Sequence, residues 1–339
     1  MKKFIKKKNG WLIFAAIVML VFNNLPSSAQ NKETINVKDN DVLNAVAFYE
    51  KDDFQKAKSS LDVIILKCDN NADAHYALGI VLTKLNKLDD AEDEVKKAIE
   101  LNGSNAEYHY GLAKICMLQL NQASIFSKMS WAGSFRDELN AALKIDPNHR
   151  LALSNLTGFY TQAPSIAGGD LNKALELANR LLKLDEKQAR IFLVQIYNAK
   201  DNSAKANEEV NNLIKIDEYT GRIMLIQGLK KKGDLAKVEE QYNLIEVKYG
   251  NNPDYFAFFN DYGYFLLGQK RIDEAIEKLK KQVALAPKSA NAHDSLGEGL
   301  LAKNMLKESL AEYTKAVELN PGLKSAKDKI EEIKKLMEN

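Results

Sequence analysis

Apolar side chains recur every three or four residues along most of this chain, in segments separated by short polar turns. Leu78, Leu82 and Leu85 share one helical face, because side chains three and four positions apart lie on the same side of a helix. After Asn86, which favours a turn, a second stripe consists of Ala91, Val95, Ala98 and Ile99. The pattern predicts two short amphipathic helices that pack against each other through these stripes.

The same helix-turn-helix pattern returns later in the chain. When the segment from Ala74 is aligned with the segment from Ala292, both show large, small and apolar residues at the same offsets. His75, Leu78, Gly79, Ala91 and Ala98 fall opposite His293, Leu296, Gly297, Ser309 and Ala316. A recurring two-helix unit of ~34 residues predicts a repeat array, in which stacked neighbours bury each other's apolar faces.

These offsets resemble the tetratricopeptide pattern of a large residue, then Leu-Gly, then alanines and a closing proline. The resemblance covers residues 38–323 and implies an all-α fold, a right-handed α-solenoid of stacked helix-turn-helix repeats. The expected repeats are 38–71, 72–105, 106–149, 150–188, 189–218, 219–252, 256–289 and 290–323. Before them we expect a short polar leader at 30–37, and after them a capping helix at 324–339. The expected apolar stripe of that helix is Ala326, Ile330, Ile333, Leu336 and Met337.

Glycine and proline are expected to shape the units. Three glycines should lie where a facing side chain needs the space of a Cβ, namely Gly79, Gly263 and Gly297. Three prolines should end the second helices, because proline lacks the amide hydrogen of a continuing helix; they are Pro147, Pro287 and Pro321.

The first 29 residues have the pattern of a secretory signal peptide. Five lysines among the first eight residues precede twelve uninterrupted apolar residues, and Ser27 and Ala29 are spaced as signal peptidase requires. Cleavage there would leave Gln30 first. Twelve apolar residues are fewer than the ~20 that cross a bilayer, so we expect export without a membrane span after cleavage, with a retained anchor as the alternative. The periplasm is favoured over secretion or attachment to the envelope.

Charge and chemistry exclude several classes of function. Without residues 1–29 the net charge is −3, which disfavours binding to nucleic acid. No nucleophile elbow, metalloprotease helix, phosphate loop or dinucleotide fingerprint is present, so we expect no enzyme, catalytic residue or cofactor. His75, His109 and His293 share one repeat position, which favours packing over a metal site. Cys68 and Cys116 are expected to be isolated apolar fillers, with a disulfide as the alternative.

Two insertions interrupt the period. The third repeat is longer by about ten residues around 119–134, and the fourth by about five around 164–169. In the second insertion, a Gly168-Gly169 pair is expected to form a positive-φ turn before a helix capped by Asp170. The insertions lie in adjacent repeats and are expected either to rim one site, with Trp131, or to be tolerated edge loops.

The resemblance also implies a binding surface, because first helices line the concave face in this family. Tyrosines with sparse charges suit an extended peptide or an amphipathic helix. The candidate partner-binding residues are Tyr49, Tyr76, Tyr110, Lys114, Trp131, Tyr197, Gln227 and Tyr264. We therefore predict a non-catalytic protein–protein interaction scaffold or adaptor in the bacterial cell envelope that binds a peptide or helix of a partner. The alternative is an accessory protein of a solute transporter that binds a small apolar molecule.

Overall fold

The structure, a computed structural model, describes residues 34–338 apart from the side chains of residues 125 and 126. The predicted signal peptide lies outside the described residues. Within 34–338 the chain forms seventeen α-helices and two short 3-10 turns, and this part contains no strand. The prediction of an all-α fold of stacked helix pairs with a C-terminal capping helix is confirmed.

The chain divides into two compact units, one ending at Glu218 and the other beginning at Tyr219. The helices of unit 1 are α1 Asn40–Glu50, α2 Phe54–Lys67, α3 Ala72–Lys84, α4 Leu88–Leu101, α5 Ala106–Gln122, α6 Ile125–Ile145, α7 Arg150–Gln162, α8 Leu171–Leu181, α9 Glu186–Ala199 and α10 Ser203–Ile216. The helices of unit 2 are α11 Glu218–Lys232, α12 Leu235–Tyr249, α13 Phe258–Gly268, α14 Ile272–Leu285, α15 Ala290–Ala302, α16 Leu306–Leu319 and α17 Lys324–Glu338.

Most helix pairs close with the same kind of turn. One residue between the two helices adopts positive φ, between 56° and 72°. These residues are Asp52, Asn86, Asp201, Gly233, Lys270 and Asn304. A single left-handed residue reverses the chain within a few positions. The two helices of each pair therefore pack through the stripes predicted from the sequence.

The packing of the pairs depends on small side chains. A Cβ added to Gly79 would lie 2.4 Å from Val95 Cγ2, and one added to Gly263 would lie 2.7 Å from Leu279. A Cβ at Gly297 would meet the Tyr313 ring at 3.0 Å. All three glycines occupy close helix contacts, as predicted.

The prolines act at the ends of second helices. α6 ends at Ile145, α14 at Leu285 and α16 at Leu319, in each case two residues before a proline. The residue before proline is pushed away from helical angles, and here each C-cap is extended or nearly so. The predicted stop signals are confirmed.

The two insertions take different forms. The first lengthens helices, since α5 has 17 residues and α6 has 21, against 13 and 14 in the preceding pair. The second forms a 3-10 turn at Ser165–Ala167, followed by Gly168 at φ 94°. Asp170 then caps α8 by accepting hydrogen bonds from the amides of Asn172 and Lys173. The positive φ at Gly168 and the cap by Asp170 are both as predicted. The 3-10 turn also contacts α6.

The capping helix α17 is only partly buried. Ala326 and Ile333 lie in the core, and Ile330 packs against it. Leu336 and Met337 are exposed, so the predicted stripe stops one turn early. The last helical turn extends past the surface that α16 provides in the described residues.

The two cysteines are free thiols. Cys116 is buried in the core of unit 1, where burial raises the pKa of its thiol to about 12. Cys68 is exposed at the end of α2, so the expectation of an apolar filler is wrong for this residue. An end-of-helix position lacks a neighbour that could cover the sulfur.

Candidate partner-binding faces

The first helices of successive pairs lie side by side within each unit. In unit 1, α1 contacts α3, α3 contacts α5, and α7 contacts α9. In unit 2, Lys230 of α11 bonds Asp261 of α13, and α13 contacts α15. We call the surface formed by these helices the first-helix face of each unit, and it holds seven of the eight predicted site residues.

Three predicted tyrosines of unit 1 are core residues. Tyr49 and Tyr110 are buried, and Tyr76 is 1% exposed. The centre of the Tyr76 ring lies 4.9 Å from the centre of the Tyr108 ring. The Tyr76 ring also packs against Gly111 of α5, where an added Cβ would lie only 2.5 Å from the ring. The small residue on α5 gives the ring its space, so these aromatic groups join neighbouring repeats and present no free surface.

Lys114 lies beside these tyrosines on α5. Its ammonium nitrogen is 5.1 Å from the centre of the Tyr110 ring, a cation–π distance. Burial lowers the pKa of Lys114 to about 7, because a desolvated ammonium favours its neutral form. The Tyr110 hydroxyl accepts a hydrogen bond of 3.4 Å from Asn155 Nδ2. This part of the unit 1 face is closed and weakly solvated.

An extended segment covers the edge of the unit 1 face. Residues 34–39, which we call the strap, alternate between inward and outward positions, and Ile35 is only 4% exposed. The amides of Lys38 and Asp39 donate to Asp73 Oδ2 at 2.9 and 3.1 Å. The side chain of Asn36 hydrogen-bonds Glu107. The predicted leader is therefore partly packed against the array, and the alternating Ile35 and Val37 were its signal in the sequence.

Trp131 and Tyr197 are half-buried and pack against the core of unit 1. Lys205 places its ammonium nitrogen 5.3 Å from the centre of the Tyr197 ring. Trp131 lies on the lengthened helix α6 that contacts the second insertion. The second insertion therefore lies against the helix that carries Trp131, and the shared rim stays a prediction.

The first-helix face of unit 2 is open and polar. Gln227 is exposed on α11, and Tyr264 on α13 is 36% exposed. The Tyr264 hydroxyl donates to Glu298 of α15 at 2.5 Å. Gln227, Tyr264 and Glu298 are each the ninth residue of a predicted repeat. Three successive first helices therefore present a polar side chain at one repeat position.

Acidic groups flank this row. Asp261 on α13 accepts a hydrogen bond of 3.0 Å from Lys230 of α11. Burial, and then the nearby charge of Glu298, raise the pKa of Asp294. Asn260 and Asp294 each hold one buried side-chain oxygen without a hydrogen-bond donor. The unit 2 face thus offers acceptors and negative charge to a partner that supplies donors.

Sequence reasoning missed a recurring contact inside the pairs. A basic residue early in the first helix reaches a polar or acidic residue of the second helix, most often nineteen positions later. The contacts are His75–Glu94 at 2.6 Å, Arg190–Glu209 at 2.6 Å, Arg222–Gln241 at 2.6 Å and His293–Glu312 at 2.6 Å. In the lengthened third pair, His109 meets Glu138 at 2.7 Å across twenty-nine positions. A fixed offset between basic and acidic residues was the available signal.

Each histidine in the described residues has a hydrogen-bonding role within or between helices. His75 also bonds the carbonyl oxygen of Asp69 at 2.9 Å, and His149 caps α7 by accepting from the Ala152 amide. Among residues 34–338 no three histidine, cysteine or carboxylate side chains group as a metal site would. No helix in that same range is long and apolar enough to cross a membrane.

Antiparallel helix pairs stacked through small residues define a helical repeat protein, and comparison with known proteins specifies the repeat. Residues 42–106 and 76–123 match the family model described as tetratricopeptide repeat. The structure of yeast Tom70 is similar with a TM-score of 0.60 at 17% identity, over 95% of this chain and 69% of that one. A tetratricopeptide repeat protein from Parabacteroides merdae ATCC 43184 has a TM-score of 0.48 at 15% identity, over 86% and 96% of the two chains. No curated protein matches.

The family match identifies tetratricopeptide repeats at residues 42–123, and the likeness to Tom70 shows the same fold over most of the chain. Such folds generally mediate protein–protein interaction and are generally non-catalytic scaffolds.

Proposed function

We propose that the protein is an adaptor whose unit 2 first-helix face binds a peptide or helix of a partner protein. The observation that carries this proposal is the row of Gln227, Tyr264 and Glu298, three side chains at one repeat position that are accessible together. Evenly spaced polar groups on neighbouring helices match the repeating backbone of an extended segment or the successive turns of a helix.

The chemistry of the face indicates the partner. Asp294 and Glu298 supply negative charge, whereas Asp261 is paired with Lys230. Burial and the charge of Glu298 raise the pKa of Asp294, so its ionised form would gain from a counter-charge. A lysine or arginine side chain would provide that charge and donate to the free acceptors. Tyr264 supplies an aromatic surface of the kind that anchors interfaces. The favoured ligand is a segment carrying basic residues.

Site-specific photo-crosslinking in the native host tests this function. A photoreactive residue at Gln227 should crosslink one partner protein, and Glu298→Lys should abolish that crosslink by reversing the charge. Glu277 is an exposed carboxylate on the second helix α14, so Glu277→Lys is the matched control and should leave the crosslink intact. Equal crosslinking in both variants, or no crosslink from the photoreactive residue at position 227 without either charge reversal, would refute binding at this face.

We propose further that the protein works in the bacterial cell envelope, with the periplasm as the favoured compartment. Support comes from the lysine-rich start, the apolar run and the small residues at 27 and 29. N-terminal sequencing of the protein purified from its host should give Gln30 as the first residue. A chain that begins at Met1, or that fractionates with the cytoplasm, would contradict export.

A further inference from the structure

We infer that the surface under the strap is a second peptide-binding site, in unit 1, which the chain itself keeps occupied. Its ligand is an extended peptide with two β-branched apolar residues two positions apart, the pattern of Ile35 and Val37. The strap acts as an internal competitor for that ligand. The inference rests on the proposed function in treating first-helix faces as peptide surfaces, but it concerns a different unit and different residues.

The strap contacts unit 1 as a separate peptide would. Alternate side chains point inward, as they do in any extended segment laid on a surface, with Ile35 buried and Val37 partly buried. The bonds to Asp73 come from backbone amides. Any peptide sequence can supply such amides, so sequence recognition depends on the alternating apolar pattern and on the Asn36 side chain that bonds Glu107.

The receiving carboxylates are held in place by other residues. The other carboxylate oxygen of Asp73, Oδ1, accepts a hydrogen bond of 2.5 Å from the Tyr108 hydroxyl. Glu107 pairs with His149 at 3.3 Å, and that bond, with the bond from Asn36, lowers the pKa of Glu107. Asp73 and Glu107 are each the second residue of a predicted repeat. Tyr108 and His149 therefore keep these two acceptors oriented when the strap leaves.

The strap is weakly held in comparison with the helices. Two apolar side chains and a few hydrogen bonds oppose the conformational entropy of six ordered residues. Residues 34–39 belong to no helix or strand, so no regular internal hydrogen bonds hold them. Segments of this kind open locally without unfolding the rest of a domain. The covered surface is thus accessible to a competing peptide.

A synthetic, fluorescein-labelled peptide of residues 31–40 serves as the probe, and the full-length chain as the receptor. The double variant Ile35→Asp/Val37→Asp should release the strap and bind the probe at least tenfold more tightly than the unmodified chain, as measured by fluorescence anisotropy. Adding Asp73→Ala to that variant should remove most of the binding, because alanine offers no acceptor to the two backbone amides. A probe with aspartate in place of its isoleucine and valine should bind neither protein.

Hydrogen exchange on the unmodified chain gives a second test, which does not depend on the folding of any variant. The amides of Lys38 and Asp39 should exchange at least a hundredfold faster than those in the middle of α3. Exchange of strap and α3 amides at one common rate would overturn the proposal, and so would a folded double variant that does not bind the probe. Either result leaves the photo-crosslink at Gln227 untouched, so failure here is distinguishable from failure of the proposed function.

Discussion

The first-helix faces of the two units use the same repeat positions for opposite purposes. The fifth position holds the buried Tyr76 and Tyr110 in unit 1, but Asn260 and Asp294, each with an unpartnered oxygen, in unit 2. The ninth position holds the desolvated Lys114 in unit 1 and exposed polar groups in unit 2. At these positions unit 1 holds packed aromatic rings and a desolvated lysine, whereas unit 2 holds polar side chains.

This difference shows that repeat position sets where a side chain lies, but not whether it is accessible. Tyr76 and Tyr264 both belong to the first-helix faces, yet one is a core residue and the other is 36% exposed. Accessibility depends on what lies against the face, which in unit 1 includes neighbouring rings and the strap. Substitutions at equivalent positions should therefore have unequal effects.

The largest expected difference is between two tyrosine truncations. Tyr76→Ala removes a buried ring that joins α3 to α5, and should lower the free energy of unfolding by about 3–5 kcal/mol. Tyr264→Ala removes a partly exposed ring and should cost less than about 1 kcal/mol. Urea unfolding followed by circular dichroism measures both. Similar losses in the two variants would show that the faces are equally packed.

The desolvated lysine should give the next largest effect. Because folding lowers the pKa of Lys114 to about 7, the folded state binds this proton less tightly than the unfolded state. Lys114→Met should therefore stabilise the protein by about 2–4 kcal/mol at or below pH 7. The gain should shrink as the pH rises towards the ordinary lysine value, where the unfolded chain also loses the proton. A gain independent of pH would show that charge burial is not the cause.

A buried amide in unit 2 should give a smaller gain. Gln282 is 0% exposed, and neither its nitrogen nor its oxygen has a hydrogen-bond partner. Equivalent positions of unit 1 hold buried alanines, such as Ala98 and Ala142. Gln282→Met keeps the approximate shape without the unsatisfied groups, and should raise the unfolding free energy by about 1–2 kcal/mol. An unchanged or lower urea midpoint would mean that the amide is satisfied by an internal water.

The smallest expected effect separates two helical glycines. A Cβ at Gly228 in α11 meets nothing within 4 Å, so Gly228→Ala should stabilise the helix by about 0.5–1 kcal/mol. The same change at Gly79 meets Val95 at 2.4 Å and should destabilise the protein by about 1–3 kcal/mol. Thermal unfolding of both variants checks the opposite signs. A loss at Gly228 would indicate that its surroundings are tighter than the structure shows.

The helices and their contacts were predictable because each depends on local spacing. The stripes of Leu78 and Ala91, the glycine at 79 and the proline stops all follow from helical periodicity and backbone chemistry. Exposure was not predictable in this way. Tyr76 is buried because Gly111, thirty-five positions later, leaves space for its ring. Local spacing in the sequence does not reveal which distant residue packs against a given side chain.

The strap and the basic–acidic contacts were missed for a related reason. The alternation that includes Ile35 and Val37 covers only six residues. A pattern that short does not distinguish a packed segment from an unstructured leader. The contact between His75 and Glu94 crosses a turn, so it has no helical spacing. Its recurrence as His293 with Glu312 identifies it, and comparison of repeats with one another is what would have found it.

The lengthened pair α5–α6 has a practical consequence. Its extra turns keep the His109–Glu138 contact, and Gln119 and Gln122 of α5 reach Asp89 and Asn86 at the neighbouring turn. The added length therefore projects at the turn end of the pair, away from the strap at the start of the first helices. A fluorophore, an affinity tag or a small folded domain inserted at Ala123–Ser124 would report on unit 1 while leaving the strap in place.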